Sequence, residues 1–241
     1  MADGPARVIH VAVGVVWRDG RVLIARRPDH AHQGGLLEFP GGKVEPGEGV
    51  QQDLARELLE ETAIAVSPDS LEPLIGIRHD YGDKQVFLDV WQARESSGEP
   101  HGVEGQPVFW CKPEELRAGD FPAANRPIIN AIRLPRQLAI TGDAVRADEA
   151  VERCVRGVGH RRPPLVVLRL PSLSSGAYTE VVGQCLQQLP DTALIVHDRS
   201  ELVSDLPVAG VHLSWRRAAE LSGRPVPDDR WFGVSCHTPP P

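Results

Sequence analysis

The stretch from Gly42 to Ile64 constrains the fold most, because a turn-rich loop leads there into a run of helix-forming residues. The loop holds the turn-forming residues Gly41, Gly42, Pro46, Gly47 and Gly49. Residues 51–61 contain neither glycine nor proline, which predicts a helix. Because residues three and four positions apart share a helix face, we expect Glu57, Glu60 and Glu61 to project together.

Three neighbouring carboxylates repel one another, so this face of the helix needs positive charge nearby to be stable. Arg56 can neutralise one of them, and the others suit a hard divalent cation, which prefers oxygen ligands. For three glutamates alone, the alternative is a solvated acidic face. Leu54 and Leu58 form a separate apolar stripe that is suited to burial.

The spacing of these residues resembles the signature of Nudix hydrolases. Five residues separate Gly42 from Glu48, and seven more separate Glu48 from the segment Arg56 to Glu61. The sequence departs from the family at Ala63, where the signature has a glycine. A glycine there would cap the helix in the left-handed conformation, and alanine in that conformation costs about 1 kcal/mol.

The segment ARRPDHAHQGGLLEFPGGKVEPGE, residues 25–48, resembles one branch of this family, the MutT-type nucleotide pyrophosphohydrolases. The resemblance implies that Arg27 contacts a substrate phosphate and that His32 lies beside the nucleotide. It implies that the base and metal region is lined by Glu38, Phe39, Pro40 and Gly41, with the Gly41 carbonyl as a metal ligand.

Three further positions take roles from the same resemblance. Lys84 stands where MutT-like sequences have a basic residue near the base. Glu104, in the motif EGQP, matches a loop carboxylate that approaches the metal from the opposite side. Asn125, in the segment FPAAN, matches an asparagine that hydrogen-bonds an oxidised guanine. Asn125 could also cap the helix that follows, and the two roles are compatible.

The resemblance implies a complete reaction centre. Mg²⁺, or Mn²⁺ in its place, would be held by Gly41, Glu57, Glu60, Glu61 and Glu104. Arg56 would orient the carboxylates, Glu48 would support the loop, and either Glu57 or Glu104 would be the general base. The expected reaction is hydrolysis of 8-oxo-dGTP to 8-oxo-dGMP and pyrophosphate, which sanitises the nucleotide pool and avoids mutation. The expected fold of residues 1–134 is the α+β Nudix fold, an α/β/α sandwich with a mixed sheet.

Residues 135–241 show a different pattern, in which apolar strand-like runs alternate with helical runs, as in parallel α/β proteins. The pieces LPRQLAITGD, LVVLRL, GVHLS and GVSCHT resemble the thiamine monophosphate synthase/TenI family, a (β/α)8 barrel. Five candidate strands are present, whereas a complete barrel has eight and takes about 250 residues. We therefore expect a truncated, barrel-like α/β domain that does not synthesise thiamine phosphate.

Composition limits the partners of the chain. Lysine and arginine total 26 against 33 acidic residues, a net charge of −7, which gives no electrostatic basis for binding a nucleic-acid polymer or an anionic membrane. The four cysteines are widely spaced, and no leader or membrane span is evident, so a cytoplasmic protein is the expectation. The open edge of an incomplete barrel could be covered by self-association.

Some alternatives stay open at this point. The same metal chemistry could act on another nucleoside diphosphate derivative such as ADP-ribose, or the first domain could be a nucleotide sensor without activity. The second domain could bind a ligand of its own. His212, Cys236 and His237 could form a metal site, although core packing is the simpler interpretation.

Overall fold

The computed structural model describes residues 8–30 and 33–236. Contacts divide the chain into two compact units, and the boundary in the sequence lies between Arg133 and Leu134. No helix in the described residues combines the length and apolarity that a bilayer span requires. His32 and His237, named above as candidate site residues, lie outside the described ranges.

The first unit is built on a mixed, six-stranded sheet. Its strands are β1 (Val8–Arg18), β2 (Arg21–Arg26), β3 (Leu37–Glu38), β4 (Glu72–Asp80), β5 (Gln85–Ala93) and β6 (Val108–Cys111). The strand order is β3-β2-β1-β5-β4, and β6 pairs with β2. The long strand β1 runs parallel to β5 and antiparallel to β2, so it joins the two parts of the sheet.

A helix covers each face of this sheet. The helices are α1 (Val50–Thr62) and α2 (Arg126–Arg133). Side chains of a strand point alternately to the two faces, so Ala12 and Val16 of β1 pack with α1, whereas Val13 and Val15 pack with α2. The predicted α/β/α sandwich with a mixed sheet is therefore confirmed.

The second unit contains a five-stranded sheet in which every neighbouring pair is parallel. Its strands are β7 (Leu138–Ile140), β8 (Leu165–Leu168), β9 (Ala193–His197), β10 (Gly210–Ser214) and β11 (Trp231–Ser235). Its helices are α3 (Ala147–Arg161), α4 (Ser175–Gln188), α5 (Leu202–Asp205) and α6 (Trp215–Ala218). The strands lie in the order of the sequence, from β7 to β11.

Sequential order in a parallel sheet is the arrangement of a (β/α) barrel, and five strands form only part of one. Val166 and Leu168 pack with the helices, whereas Leu165 and Val167 form a separate small cluster with Ile195 on the other face. The predicted incomplete barrel-like domain is confirmed in architecture. Strand β7 lies at an open edge, where 61% of Ile140 is exposed.

Candidate active site

The glutamates of α1 meet the glycine loop that precedes the helix. Glu57 and Glu61 lie one helical turn apart, and both carboxylates reach the loop. The Gly41 N–H donates to Oε2 of Glu61 over 3.4 Å. A Cβ added to Gly42 would lie 2.4 Å from Oε2 of Glu57, so only a glycine allows this approach.

The glycine loop is fixed to the edge of β1 by its backbone. Ala12 N–H donates to the Gly42 carbonyl over 2.9 Å, and Gly14 N–H donates to the Pro40 carbonyl over 2.8 Å. Gly41 has a φ of +150°, and a Cβ there would lie 2.1 Å from the Ala12 carbonyl oxygen. The loop therefore requires glycine at position 41, where the obstructing atom belongs to the backbone, whereas a Cβ at position 42 would displace the Glu57 side chain.

Glu61 is the most perturbed acid of this cluster. Burial, together with the charges of Glu38, Glu57 and Glu104, raises the pKa of Glu61 from 4.5 to about 7, although the Gly41 N–H opposes the change. This set of donors carries more negative charge than its surroundings neutralise. An oxygen-rich, charge-deficient site of this kind fits a hard divalent cation.

The carboxylates do not converge on one point. Within the described ranges, no group of three or more acidic, histidine or cysteine side chains is already arranged around a metal position. Glu60 is 59% exposed and turns to Arg56 rather than to Gly41. The acidic side chains of α1 are therefore divided between the glycine loop and Arg56.

Arg56 is the cation that organises this face of α1. Its Nη1 lies 2.7 Å from Glu57 and 2.9 Å from Glu60, and its Nη2 lies 3.4 Å from Glu48. The hydrogen bond to Glu57 is the main reason that the pKa of Arg56 is raised. The structure therefore brings Arg56 to the carboxylates that sequence reasoning assigned to it, together with the supporting Glu48.

Asp53 is a member of this network that sequence reasoning missed. It is fully buried, and its Oδ1 lies 2.6 Å from Nη2 of Arg56 and 3.4 Å from the Glu45 N–H. Its other oxygen has no hydrogen-bond partner within the described structure. The position three residues before Arg56 on a helix was the available signal.

The loop around Glu104 is attached to the end of α1. Gln106 Nε2 and Val103 N–H both donate to the Glu61 carbonyl over 3.0 Å, and Glu104 N–H donates to Oε1 of Gln106 over 3.0 Å. The last carbonyls of a helix have no partner within the helix, so this loop supplies one. Glu104 is exposed and lies near enough to Glu61 to raise its pKa.

Ala63 ends α1 in the left-handed conformation. Its φ of 56° and ψ of 19° are left-handed, and its N–H donates to the Leu59 carbonyl over 3.0 Å. This residue performs the function of the glycine that the Nudix signature has there. The departure from glycine therefore leaves the left-handed cap in place, with alanine in a conformation that favours glycine.

A cleft of about 270 Å³ lies next to the glycine loop. Its lining includes six of the residues that the sequence assigned to substrate binding, namely Arg27, Glu38, Phe39, Gly41, Lys84 and Asn125. Pro40 is buried behind the loop, where its carbonyl accepts from Gly14. Residues far apart in sequence thus share one cavity, and Gly41 connects it to Glu61.

The apolar wall of the cleft was not identified from the sequence. It consists of alternate residues of two neighbouring strands, Ile9, Val11 and Val13 of β1 with Val86 and Leu88 of β5. The period-two pattern of β1 and β5 was the available signal, but it does not tell which face meets a ligand. Tyr81 also lines the cleft, and its ring centre lies 5.7 Å from Nζ of Lys84.

Arg27 and Glu38 form an ion pair at the polar end of the cleft. Burial raises the pKa of Glu38, and the neighbouring Arg27 guanidinium opposes that rise. The side chains of both residues are about three-quarters buried. The pair holds a guanidinium at the cleft wall in an orientation set by Glu38.

Asn125 directly precedes α2 and lines the cleft. A 3₁₀ turn, Ala123–Asn125, precedes α2 and runs directly into it through Arg126. The residue in the cap position of that turn is Pro122, with extended-type φ and ψ of −52° and 147°. The capping interpretation of Asn125 is therefore wrong, because helical structure begins one turn earlier.

Comparison with known proteins identifies relatives of the first unit. The model of the NUDIX domain family matches residues 12–131. The 8-oxo-dGTP diphosphatase of Escherichia coli K12 is 36% identical over 126 residues, which cover 52% of this chain and 96% of that protein. The CTP pyrophosphohydrolase of the same organism is 34% identical over 125 residues, which cover 52% of this chain and 91% of that protein.

A solved structure from work on MutT of Aliivibrio salmonicida and Vibrio cholerae is 34% identical. The match covers 52% of this chain and 97% of the chain in that structure, with a TM-score of 0.44. The sequence relatives are matched over nearly their whole length by about half of this chain. The chain therefore belongs to the Nudix hydrolase family, and it is a hydrolase with MutT-type proteins among its relatives.

Proposed function

We propose that the first unit hydrolyses 8-oxo-dGTP to 8-oxo-dGMP and pyrophosphate with the help of Mg²⁺. The observation that carries the proposal is the cleft, which both Asn125 and Arg27 line. The cleft lies beside the glycine loop, which Glu57 and Glu61 contact. Such an enzyme would remove oxidised guanine nucleotides from the pool and so avoid mutation. The similarity to the 8-oxo-dGTP diphosphatase of E. coli supports this choice of substrate.

Glu57, Glu60, Glu61 and Glu104, with the Gly41 carbonyl, are the donors that would hold the metal. A bound divalent cation supplies charge neutralisation for the phosphate chain and lowers the pKa of a bound water. The raised pKa of Glu61, caused by burial and by the charges of Glu38, Glu57 and Glu104, supports this assignment. Glu57 and Glu104 are the candidates for the group that accepts the proton of the attacking water.

Arg56 would act by positioning rather than by contact with the substrate. It donates to Glu57 and Glu60 through Nη1, which fixes the direction of both carboxylates. Its other nitrogen is held by Glu48 and by the buried Asp53. The guanidinium thus connects the catalytic face of α1 to the loop that precedes the helix.

The cleft would bind the nucleotide with separate groups for each part. Arg27 would contact a phosphate, and Lys84 would lie near the base. The alternating aliphatic side chains of β1 and β5 would cover the face of the base. The Asn125 amide would hydrogen-bond the oxidised base, because a site that leaves a buried polar group unpaired rejects the substrate that lacks its partner.

A second candidate substrate is CTP, favoured by the similarity to the CTP pyrophosphohydrolase of E. coli. The same carboxylates and the same cleft would serve this reaction, with only the base contacts changed. ADP-ribose is a third candidate substrate. The choice among these substrates depends on the base-facing side of the cleft.

The test is a comparison of kcat/KM for 8-oxo-dGTP, dGTP, CTP and ADP-ribose in the native chain and in Asn125→Ala. We expect 8-oxo-dGTP to be preferred, and the preference over dGTP to fall by about tenfold or more in the variant. Asn130→Ala on the same helix is the matched control and should leave the ratio unchanged. A preference for CTP would select the second candidate.

Self-association through the second unit is a separate proposal. Strand β7 lies at an open edge of the sheet with Leu138 and Ile140 exposed, and unpaired strand edges attract partners. Light scattering of the native chain and of Ile140→Lys would test it. A monomer in both would exclude association through this edge.

A further inference from the structure

The second unit contains a cavity of about 330 Å³ at the carboxyl ends of its middle strands. Arg169 directly follows β8, Arg199 follows β9 by two residues, and Arg216 follows β10 by two residues. Arg217 lines the same cavity. Since the carboxyl ends of neighbouring parallel strands meet at one edge, these residues come together, and this edge is where parallel α/β folds bind ligands.

The charge of the cavity is opposite to that of the whole chain. Four guanidinium groups line it together with one carboxylate, that of Asp198, in a protein whose net charge is −7. None of the four has a salt-bridge partner in the part of the chain that the structure describes. Asp198 is already engaged within the cavity, because its Oδ1 accepts from the Ser214 N–H over 2.7 Å and its Oδ2 lies 3.5 Å from Nδ1 of His197.

The wall behind these arginines is fixed by Tyr178. This side chain is buried, and its hydroxyl donates to the Leu168 carbonyl over 2.5 Å and accepts from the His197 N–H over 2.9 Å. It thereby connects the ends of β8 and β9. The Arg199 guanidinium carbon lies 5.5 Å from the centre of the Tyr178 ring, and its Nη1 donates to the Asp198 carbonyl over 3.2 Å.

Arg199 also retains an unused donor. Its Nε is buried and has no hydrogen-bond partner within the described residues. Nearby, burial lowers the pKa of His197, Asp198 opposes this change, and the charges of His212, Arg169 and Arg199 reinforce it. A neutral His197 adds no negative charge that would repel an anion. The cavity therefore offers donors and positive charge in excess of acceptors.

We propose that this cavity binds a small phosphate- or diphosphate-bearing molecule directly through its arginines, without a divalent cation. Guanidinium groups match phosphate oxygens with paired N–H donors, and a cleft lined by one sign of charge concentrates the opposite ion. With a single carboxylate that is already hydrogen-bonded, the cavity lacks the oxygen donors that Mg²⁺ requires. Its volume lies in the range of small-molecule sites, about 300–1,000 Å³.

The test is calorimetric titration of the full chain with inorganic pyrophosphate in the presence of EDTA. We expect binding to the native chain and at least tenfold weaker binding to Arg216→Gln/Arg217→Gln, whose two positions are exposed. The matched control is Arg136→Gln/Arg156→Gln, which removes the same charge from exposed positions of the same unit. The control should bind as the native chain does.

Amide NMR spectra of the same titration locate the binding. We expect shifts of the Ser214 and Arg199 amides in the native chain and in the control, and their loss in the Arg216/Arg217 variant. The proposal is overturned by the absence of binding in EDTA, by equal weakening in both variants, or by binding that needs added Mg²⁺. Amide shifts caused by pyrophosphate bound at the first unit would persist in the Arg216/Arg217 variant. They are thereby distinguished from shifts caused by binding in the cavity of the second unit.

Discussion

Oδ1 of Asp53 lies 2.6 Å from Nη2 of Arg56, and Asp53 is fully buried whereas Arg56 is about one-third exposed. One end of the guanidinium is thus held inside the protein while the other end reaches Glu57 and Glu60. This arrangement stops Arg56 from turning fully toward the carboxylates that would bind a metal. We therefore expect Asp53 to limit how strongly Arg56 competes with a metal ion for Glu57 and Glu60.

Replacing Asp53 with asparagine tests this relationship. We expect Asp53→Asn to lower the free energy of unfolding of the first unit by about 1–3 kcal/mol, because it weakens a buried charge-assisted hydrogen bond. The Mg²⁺ concentration for half-maximal activity should rise several-fold, since Arg56 becomes freer to neutralise Glu57 and Glu60. Mn²⁺ binding, followed by electron paramagnetic resonance, measures the same effect without turnover.

The exposed Asp69→Asn is the matched control for Asp53→Asn, with the same change of charge. It should alter neither stability nor metal affinity measurably. If Asp53→Asn lowers stability while metal affinity stays constant, Asp53 only stabilises the fold.

Ala63 gives a prediction of opposite sign. Ala63→Gly should raise the free energy of unfolding by about 1 kcal/mol, because the left-handed backbone at this position strains alanine and not glycine. Ala55→Gly, inside the same helix, should lower it by about 1 kcal/mol. Denaturant unfolding measures both, and a destabilised Ala63→Gly would contradict the account of the cap.

The close approach of Gly42 to Glu57 predicts a large loss of activity from a small side chain. A Cβ at Gly42 would overlap the Glu57 carboxylate, so Gly42→Ala should displace it and lower kcat by about a hundredfold. Gly119→Ala is the control, since no atom lies within 4 Å of a Cβ there. Normal kcat in Gly42→Ala would show that the position of Glu57 does not matter.

The pKa of Glu61 predicts how the metal-free protein responds to pH. Its value rises from 4.5 to about 7 on folding, so the folded state binds more protons than the unfolded state between these pH values. In EDTA, the stability of the first unit should therefore be greatest below pH 4.5 as far as Glu61 contributes, and fall as pH rises to 7. Amide hydrogen exchange in α1 measures this unit separately.

Glu61→Gln should remove this part of the pH dependence, because glutamine does not titrate in this range. Added Mg²⁺ should remove it as well, by stabilising the ionised carboxylate. Glu99→Gln, at an exposed loop position, should retain it. A slope that is unchanged in Glu61→Gln would assign the titration to another group.

The catalytic helix could be predicted from the sequence because its information is local. The run of residues 51–61 without glycine or proline predicted α1, and its spacing from Gly42 and Glu48 carried the resemblance to the Nudix signature. Alternation of apolar strands with helices likewise predicted the parallel sheet of the second unit. In each case the pattern lies within one element or repeats along the chain.

What the sequence did not reveal depends on contacts between distant segments. The burial of Asp53 results from packing of the loop before α1, and the apolar wall of the cleft depends on which face of β1 and β5 is covered. Capping was one of two possible roles of Asn125, and the 3₁₀ turn that excludes it has no strong sequence pattern. Helix α5 has only four residues, which are too few to show a helical period in the sequence.

The most direct test of the central claim is pyrophosphate release from 8-oxo-dGTP and dGTP with Mg²⁺, in the native chain, Glu61→Gln and Glu99→Gln. We predict strong preference for the oxidised nucleotide, retained in Glu99→Gln and abolished in Glu61→Gln. Equal turnover of both nucleotides would contradict the proposed substrate. Undiminished turnover in Glu61→Gln would contradict the carboxylate centre itself.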